Sequence, residues 1–159
     1  MKGNSDIISI LNALLAGELT ATDQYLIHGE MYSDMGLGVI ADHILHESLH
    51  EREHARALIQ RILFLEGKPN LSKREALKIG KDVKSMLESD LAVEYHVVKT
   101  LKEAIKACEK AQDYVTREML MTQLEDTEMD HAYWLEKQLN LIKLVGIENY
   151  QQSQMKPSA

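Results

Sequence analysis

Residues 37–65 constrain the chain more than any other stretch. No proline interrupts them, and Leu37, Ile40, Ile44, Leu58, Ile62 and Leu65 recur at helical spacing. As a helix, about 30 residues make a rod of about 45 Å. Its middle, His46-Glu47-Ser48-Leu49-His50-Glu51-Arg52-Glu53-His54, packs three histidines and three glutamates into nine residues. Glu51 and His54 stand three apart, so on a helix they share one face, and that face is the apolar stripe. A carboxylate and an imidazole on a buried stripe need partners, because burying a charge alone is costly.

The rest of the chain repeats the helical pattern. Helices are expected at about 5–34, 37–65, 82–111 and 114–145, with a short fifth at about 147–154, all in one domain over 1–159. Ser5 or Asp6 can cap the first. Its stripe runs Ile7, Leu11, Leu14, Leu15 and then Glu18, where a leucine is expected. Ser33-Asp34-Met35-Gly36 makes a tight turn, and Gly67 with Pro69 stops the second helix. Residues 71–81 are long for a simple up-down connection and suit one crossover along a four-helix bundle, with Leu71, Leu77 and Ile79 packed on its surface. Glu94 again replaces an apolar residue in the third helix. In the fourth, Glu128 and His131 lie on the stripe with Leu124, Leu135 and Ile142. Residues 156–159 read as a loose tail. The fold class is an all-α bundle.

Composition excludes several functions. Lys+Arg 18 against Asp+Glu 25 gives a net charge of −7 without a basic cluster, which argues against nucleic acid and for cations. No apolar run approaches the ~18 residues that span a bilayer, and the start lacks a signal-peptide layout, so no membrane and a cytoplasmic location are expected. Cys108, the one cysteine, rules out a disulfide framework and a CxxC zinc site, and reads as a small core residue.

The two halves share one motif. Glu18 precedes Glu51-x-x-His54 by 33 residues, and Glu94 precedes Glu128-x-x-His131 by 34. The extra residue falls in the turn or in a helix bulge. Folding the two hairpins together brings four carboxylates and two imidazoles to one level of the core, the arrangement of carboxylate-bridged dimetal bundles. Carboxylates are hard donors that can bridge two cations, and imidazole suits iron. Two such motifs at nearly equal spacing are hard to obtain by chance.

Further text resembles bacterioferritin and its close bacterial ferritin relatives over nearly the full length. It includes Met1-Lys2-Gly3, Asp23-Gln24-Tyr25, His46-Glu47-Ser48, Arg61-Ile62-Leu63-Phe64-Leu65-Glu66-Gly67, Pro69-Asn70-Leu71, Ser89-Asp90-Leu91-Ala92, Asp113-Tyr114-Val115 and Trp134-Leu135-Glu136. The resemblance implies an iron-storage ferroxidase that oxidises Fe(II) with O2 or H2O2 at a di-iron centre. It also implies a hollow shell of 24 subunits and a ferredoxin-like reductant for iron release. Carried over, Glu18 and His54 are terminal ligands of one iron, Glu94 and His131 of the other, and Glu51 and Glu128 bridge. Tyr25 resembles the family's site-adjacent tyrosine, which hydrogen-bonds a ligand or supplies an electron. Glu47 and Asp90 are expected to accept from ligand N–H groups. His46 matches the family's inner-surface iron site, and His50 stands where an aspartate is usual. His28, His43 and His96 show no partner pattern and are expected at the surface.

Arg52 departs from the family. Bacterioferritins ligate haem b between paired subunits through a methionine at this position, and arginine cannot ligate iron. Haem is therefore not expected in a homo-oligomer; a mixed shell whose second subunit type supplies the methionine is the related alternative. A di-iron peroxidase or oxygenase without a shell is a second class, disfavoured by the lack of cysteine pairs. A DNA-protecting mini-ferritin is disfavoured by a tail whose only basic residue is Lys156, and a purely structural shell subunit by the intact ligand set.

Overall fold

A computed structural model describes residues 1–157. Its helices are α1 (Ser5–Asp34), α2 (Gly38–Phe64), α3 (Val83–Lys110), α4 (Tyr114–Asp126), a π-helical turn (Thr127–Ala132), α5 (Tyr133–Val145) and α6 (Ile147–Ser153). α4, the π turn and α5 run on without a break as the fourth rod of the bundle, and the described residues include no strand. Asn4, rather than Ser5 or Asp6, caps α1, accepting from the Asp6 N–H at 2.8 Å. Asp82 and Ser85 form a reciprocal capping box at α3, and Asp113 caps α4. Gly36 turns the first hairpin at φ 81°, in the left-handed region that suits glycine.

The apolar core comes in two pieces. One, around Leu11, Leu58, Ile62, Leu101, Cys108 and Leu120, lies toward the start of α1. The other, around Tyr32, Ile40, Ile44, Met86, Leu87 and Ile142, lies toward its end. A buried polar layer with Glu18, Glu51, Glu94 and His131 falls between them along the helices.

The crossover is held differently from the expectation. Leu71, Leu77 and Ile79 stay about half exposed instead of packing on the bundle. The strap is bound by its backbone: the N–H groups of Glu75, Lys78 and Gly80 donate to Thr20 Oγ1, Gln24 Oε1 and His28 Nε2, at 2.7, 3.1 and 3.0 Å. These acceptors are four residues apart on α1 and so share one face. His28 is fully buried, not at the surface, and its Nδ1 lies 2.8 Å from Asp90 Oδ1. Because Nε2 accepts from Gly80, the ring proton belongs on Nδ1, facing Asp90. Lys156 is likewise docked, its Nζ 2.7 Å from Asp42; Ser158 and Ala159, the last two residues of the expected tail, lie outside the described residues.

His28→Ala removes both the strap's acceptor and the partner of the buried Asp90, and is expected to cost roughly 3–5 kcal/mol. Leu71→Ala, at a half-exposed site, is expected to change stability by less than about 0.5 kcal/mol. Thermal unfolding of the two variants at one protein concentration tests this; equal losses would contradict a strap held by hydrogen bonds.

Candidate metal centre

α1, α2, α3 and the π turn each send polar side chains into the layer between the two core pieces. Glu18, Glu51, Glu94 and His131 are at most 3% exposed, and His54 is partly buried. Their donor atoms form two groups, Glu18–Glu51–His54 and Glu51–Glu94–His131, each within 4.8 Å, with Glu51 common to both. His54 Nδ1 lies 3.2 Å from Glu51 Oε2, and His131 Nδ1 lies 2.6 Å from Glu51 Oε1 and 3.6 Å from Glu94 Oε1. The centre is thus two three-donor sites joined through one carboxylate.

Glu18 Oε2 is buried without a hydrogen-bond partner, and Glu51 Oε1 and His131 Nδ1, though 2.6 Å apart, do not meet in hydrogen-bond geometry. Buried polar atoms are nearly always satisfied, so a converging group of unsatisfied ones fits a cation as the absent partner. The oxygen and imidazole donors match iron.

Charges are distributed unequally. Burial, then the charges of Glu51 and Glu94, pushes Glu18 well above the usual carboxylate range. Burial and the Glu51 charge push Glu94 up to about 7, against the opposing pull of His131 and Tyr25. Burial would also raise Glu51, but contacts with His131 and His54 outweigh it and hold Glu51 below the usual range. His131 is raised despite burial, because Glu47, Glu51 and Glu94 surround it. In the metal-free layer, Glu51 is the anion, His131 the cation, and Glu18 and Glu94 tend to keep their protons.

Glu128 does not join the cluster. It is largely exposed, 2.8 Å from Lys102 Nζ. Both hairpin turns have three residues, and the lone glutamates stand at equal distances from the ends of their helices, so the extra residue of the second half is in neither place. It is taken up by the π turn. There hydrogen bonds run to the fifth residue, and four residues instead of three span a turn. Thr127 therefore shares the inward face with His131: it is buried and donates to Gln123 O at 2.8 Å. Glu128 is turned outward. A Glu-x-x-His spacing places both residues on one face only at the α period. Asp126, which spacing did not single out, is the carboxylate beside His54, at 3.2 Å from Nε2.

The surrounding residues divide. Tyr25 is buried and donates to Glu94 Oε1; burial and then the Glu94 charge raise its pKa, so it keeps the proton it donates. Glu47 lies 2.8 Å from His131 Nε2 and is positioned to fix that ring. Asp90 does not meet a ligand of the cluster; it accepts from Gln24 and faces His28. His46 and His50 are exposed neighbours, ring centroids 4.3 Å apart, and His50 groups with Glu47 and His131 as donors. His43 is half-buried, stacked on Trp134 at 3.7 Å. Arg52 is exposed on α2.

Comparison with known proteins finds relatives along nearly the whole chain. The ferritin-like domain model matches residues 8–145. A bacterial ferritin of Synechocystis is 52% identical over 98% of this chain and 99% of its own length. One of Pseudomonas aeruginosa is 48% identical over 98% and 100%. A bacterioferritin of Mycolicibacterium paratuberculosis is 39% identical over 94% of each. A bundle with a single crossover, a buried carboxylate–histidine layer and similarity along nearly the whole chain lead to one conclusion: the chain belongs to the ferritin family.

Proposed function

We propose that this iron-storage protein of the ferritin family is a ferroxidase, oxidising Fe(II) at the buried cluster as one ferritin-like domain over 1–159. The observation that carries the reading is the pair of three-donor groups sharing Glu51. Glu18 and His54 hold one iron, Glu94 and His131 the other, and Glu51 bridges. Two irons side by side supply two electrons together, enough to take O2 to H2O2 or H2O2 to two waters. Glu128 completes the set by leaving Lys102. That exposed ion pair is worth about 0–1 kcal/mol, little against a bond to a dication. Tyr25 holds Glu94 in place and stands close enough to donate an electron. His46 and His50, beside Glu47, form an auxiliary iron site for ions moving to mineral. The oxidised iron is stored in a shell of 24 subunits in the cytoplasm, and a ferredoxin-like donor reduces it for release.

Aerobic addition of Fe(II) to metal-free protein is expected to oxidise far more than two irons per chain. Glu51→Ala and His131→Ala should slow the first phase by at least about tenfold, roughly the loss of one 1.4 kcal/mol contribution. Glu128→Gln should slow it less, and His46→Ala with His50→Ala should slow only the later mineral phase. Oxidation stopping at two irons removes storage; unchanged kinetics in all variants remove the centre.

Cation binding should release protons. With Glu94 raised to about 7, the metal-free fold keeps, between the ordinary carboxylate value and 7, a proton that a bound dication displaces. The corresponding stability is present at low pH and lost as pH rises through 7, and the cation removes that dependence. Zn(II) calorimetry in two buffers of different ionisation enthalpy should show release falling by up to about one proton between pH 6 and 8. A release that does not change between the two pH values contradicts the raised carboxyl.

Arg52 cannot ligate haem iron, so the purified homo-oligomer is expected to show no stoichiometric low-spin haem absorption. Such a spectrum would overturn this reading.

A further inference from the structure

The two imidazoles of the cluster are held in the same way. His54 and His131 stack with ring centroids 5.8 Å apart and planes 19° from parallel. Each faces Glu51 with its Nδ1, at 3.2 and 2.6 Å. Each turns its Nε2 to a carboxylate outside the cluster: His131 to Glu47 Oε2 at 2.8 Å, and His54 to Asp126 Oδ2 at 3.2 Å. The pairing crosses the bundle. Glu47 belongs to α2 and faces the histidine of the fourth rod, while Asp126 belongs to the fourth rod and faces the histidine of α2. Asp126 is the last residue of α4, so the extra residue taken up by the π turn leaves it in α-helical register with Gln123. Gln123 donates its Nε2 to His54 O at 3.1 Å. α4 therefore grips His54 by both ring and backbone. The Asp126 side chain is 46% exposed, and His54 is its only ion-pair partner among the described residues.

We propose that Asp126 is the positioning residue for His54: it accepts the Nε2–H and so keeps the Nδ1 lone pair directed at the cation shared with Glu18 and Glu51. The inference rests on the di-iron reading above. An imidazole that coordinates through one nitrogen carries its proton on the other, and the acceptor of that proton fixes both tautomer and ring orientation. A half-turn of the ring about its Cβ–Cγ bond would put Cδ2–H where Nδ1 now faces Glu51, and the donor would be lost. The same half-turn would set Cε1 against the Asp126 carboxylate in place of Nε2, so the Asp126 contact opposes it. An ion pair this exposed adds little to the stability of a fold. Its effect falls on the ligand instead, where the negative charge also makes Nδ1 a stronger donor.

Anaerobic titration of the metal-free assembled protein with Co(II) tests this, read by visible absorption and by anomalous scattering from crystals. Wild type is expected to bind two cobalt ions per chain, one on Nδ1 of His54 and one on Nδ1 of His131. Asp126→Ala is expected to weaken the His54 cobalt by about 10–100-fold, with the His131 cobalt and thermal unfolding unchanged. Asp126→Asn, whose amide oxygen can still accept from Nε2, is expected to bind cobalt at His54 more tightly than Asp126→Ala does. Two unchanged cobalt sites in Asp126→Ala, equal weakening of both sites, or an Asp126→Asn variant no better than Asp126→Ala overturn the role of Asp126 alone. A wild type that takes up no cobalt on His54 and His131 overturns the di-iron reading and this role with it.

Discussion

Burial of charge between two pieces of apolar core is the constraint around which the rest is arranged. Each ion taken out of water costs several kcal/mol after relaxation. Glu18, Glu51, Glu94 and His131 all pay that cost at one level of the bundle. Proton sharing limits it in the absence of metal: Glu51 is held ionised by His131 and His54, while Glu18 and Glu94 are pushed toward their neutral forms. Around this layer, Tyr25 donates to Glu94 and Glu47 faces His131, so ligand orientation is set before a cation arrives. The apolar pieces on either side supply the packing that the layer cannot.

A second buried polar network has a different task. His28, Gln24 and Thr20 accept three N–H groups of the crossover, and Asp90 ties His28 and Gln24 to α3. This fixes the connection between the hairpins without burying its leucines.

Much of this was legible in the sequence. Apolar spacing located every helix to within a residue or two, since amphipathic periodicity over nearly thirty residues leaves no competing strand pattern. Glu18, Glu51, His54, Glu94 and His131 were legible because each interrupts an apolar stripe. His28 and Asp90 were not: their partners include a backbone N–H of an irregular strap, and irregular backbone leaves no periodic trace. Leu71, Leu77 and Ile79 misled for the same reason. An apolar residue in a strap announces burial only where the strap presents it inward.

Glu128 marks the deeper limit. Motif spacing specifies a shared face only if the helical period is known, and an added residue can change the period locally while leaving Glu-x-x-His intact. Here the hairpin turns are equal in length, so the insertion had to be absorbed within the fourth rod, and it is absorbed where the ligands sit. The consequence is an asymmetric donor set. Glu18, Glu51, Glu94 and His131 are at most 3% exposed, and displacing any of them disturbs the core. Glu128 is held by a single solvent-exposed contact to Lys102, on a turn whose hydrogen bonds already depart from the α pattern. A change in coordination that leaves the bundle intact is therefore cheapest at this turn, because only there does a donor move without opening the apolar core.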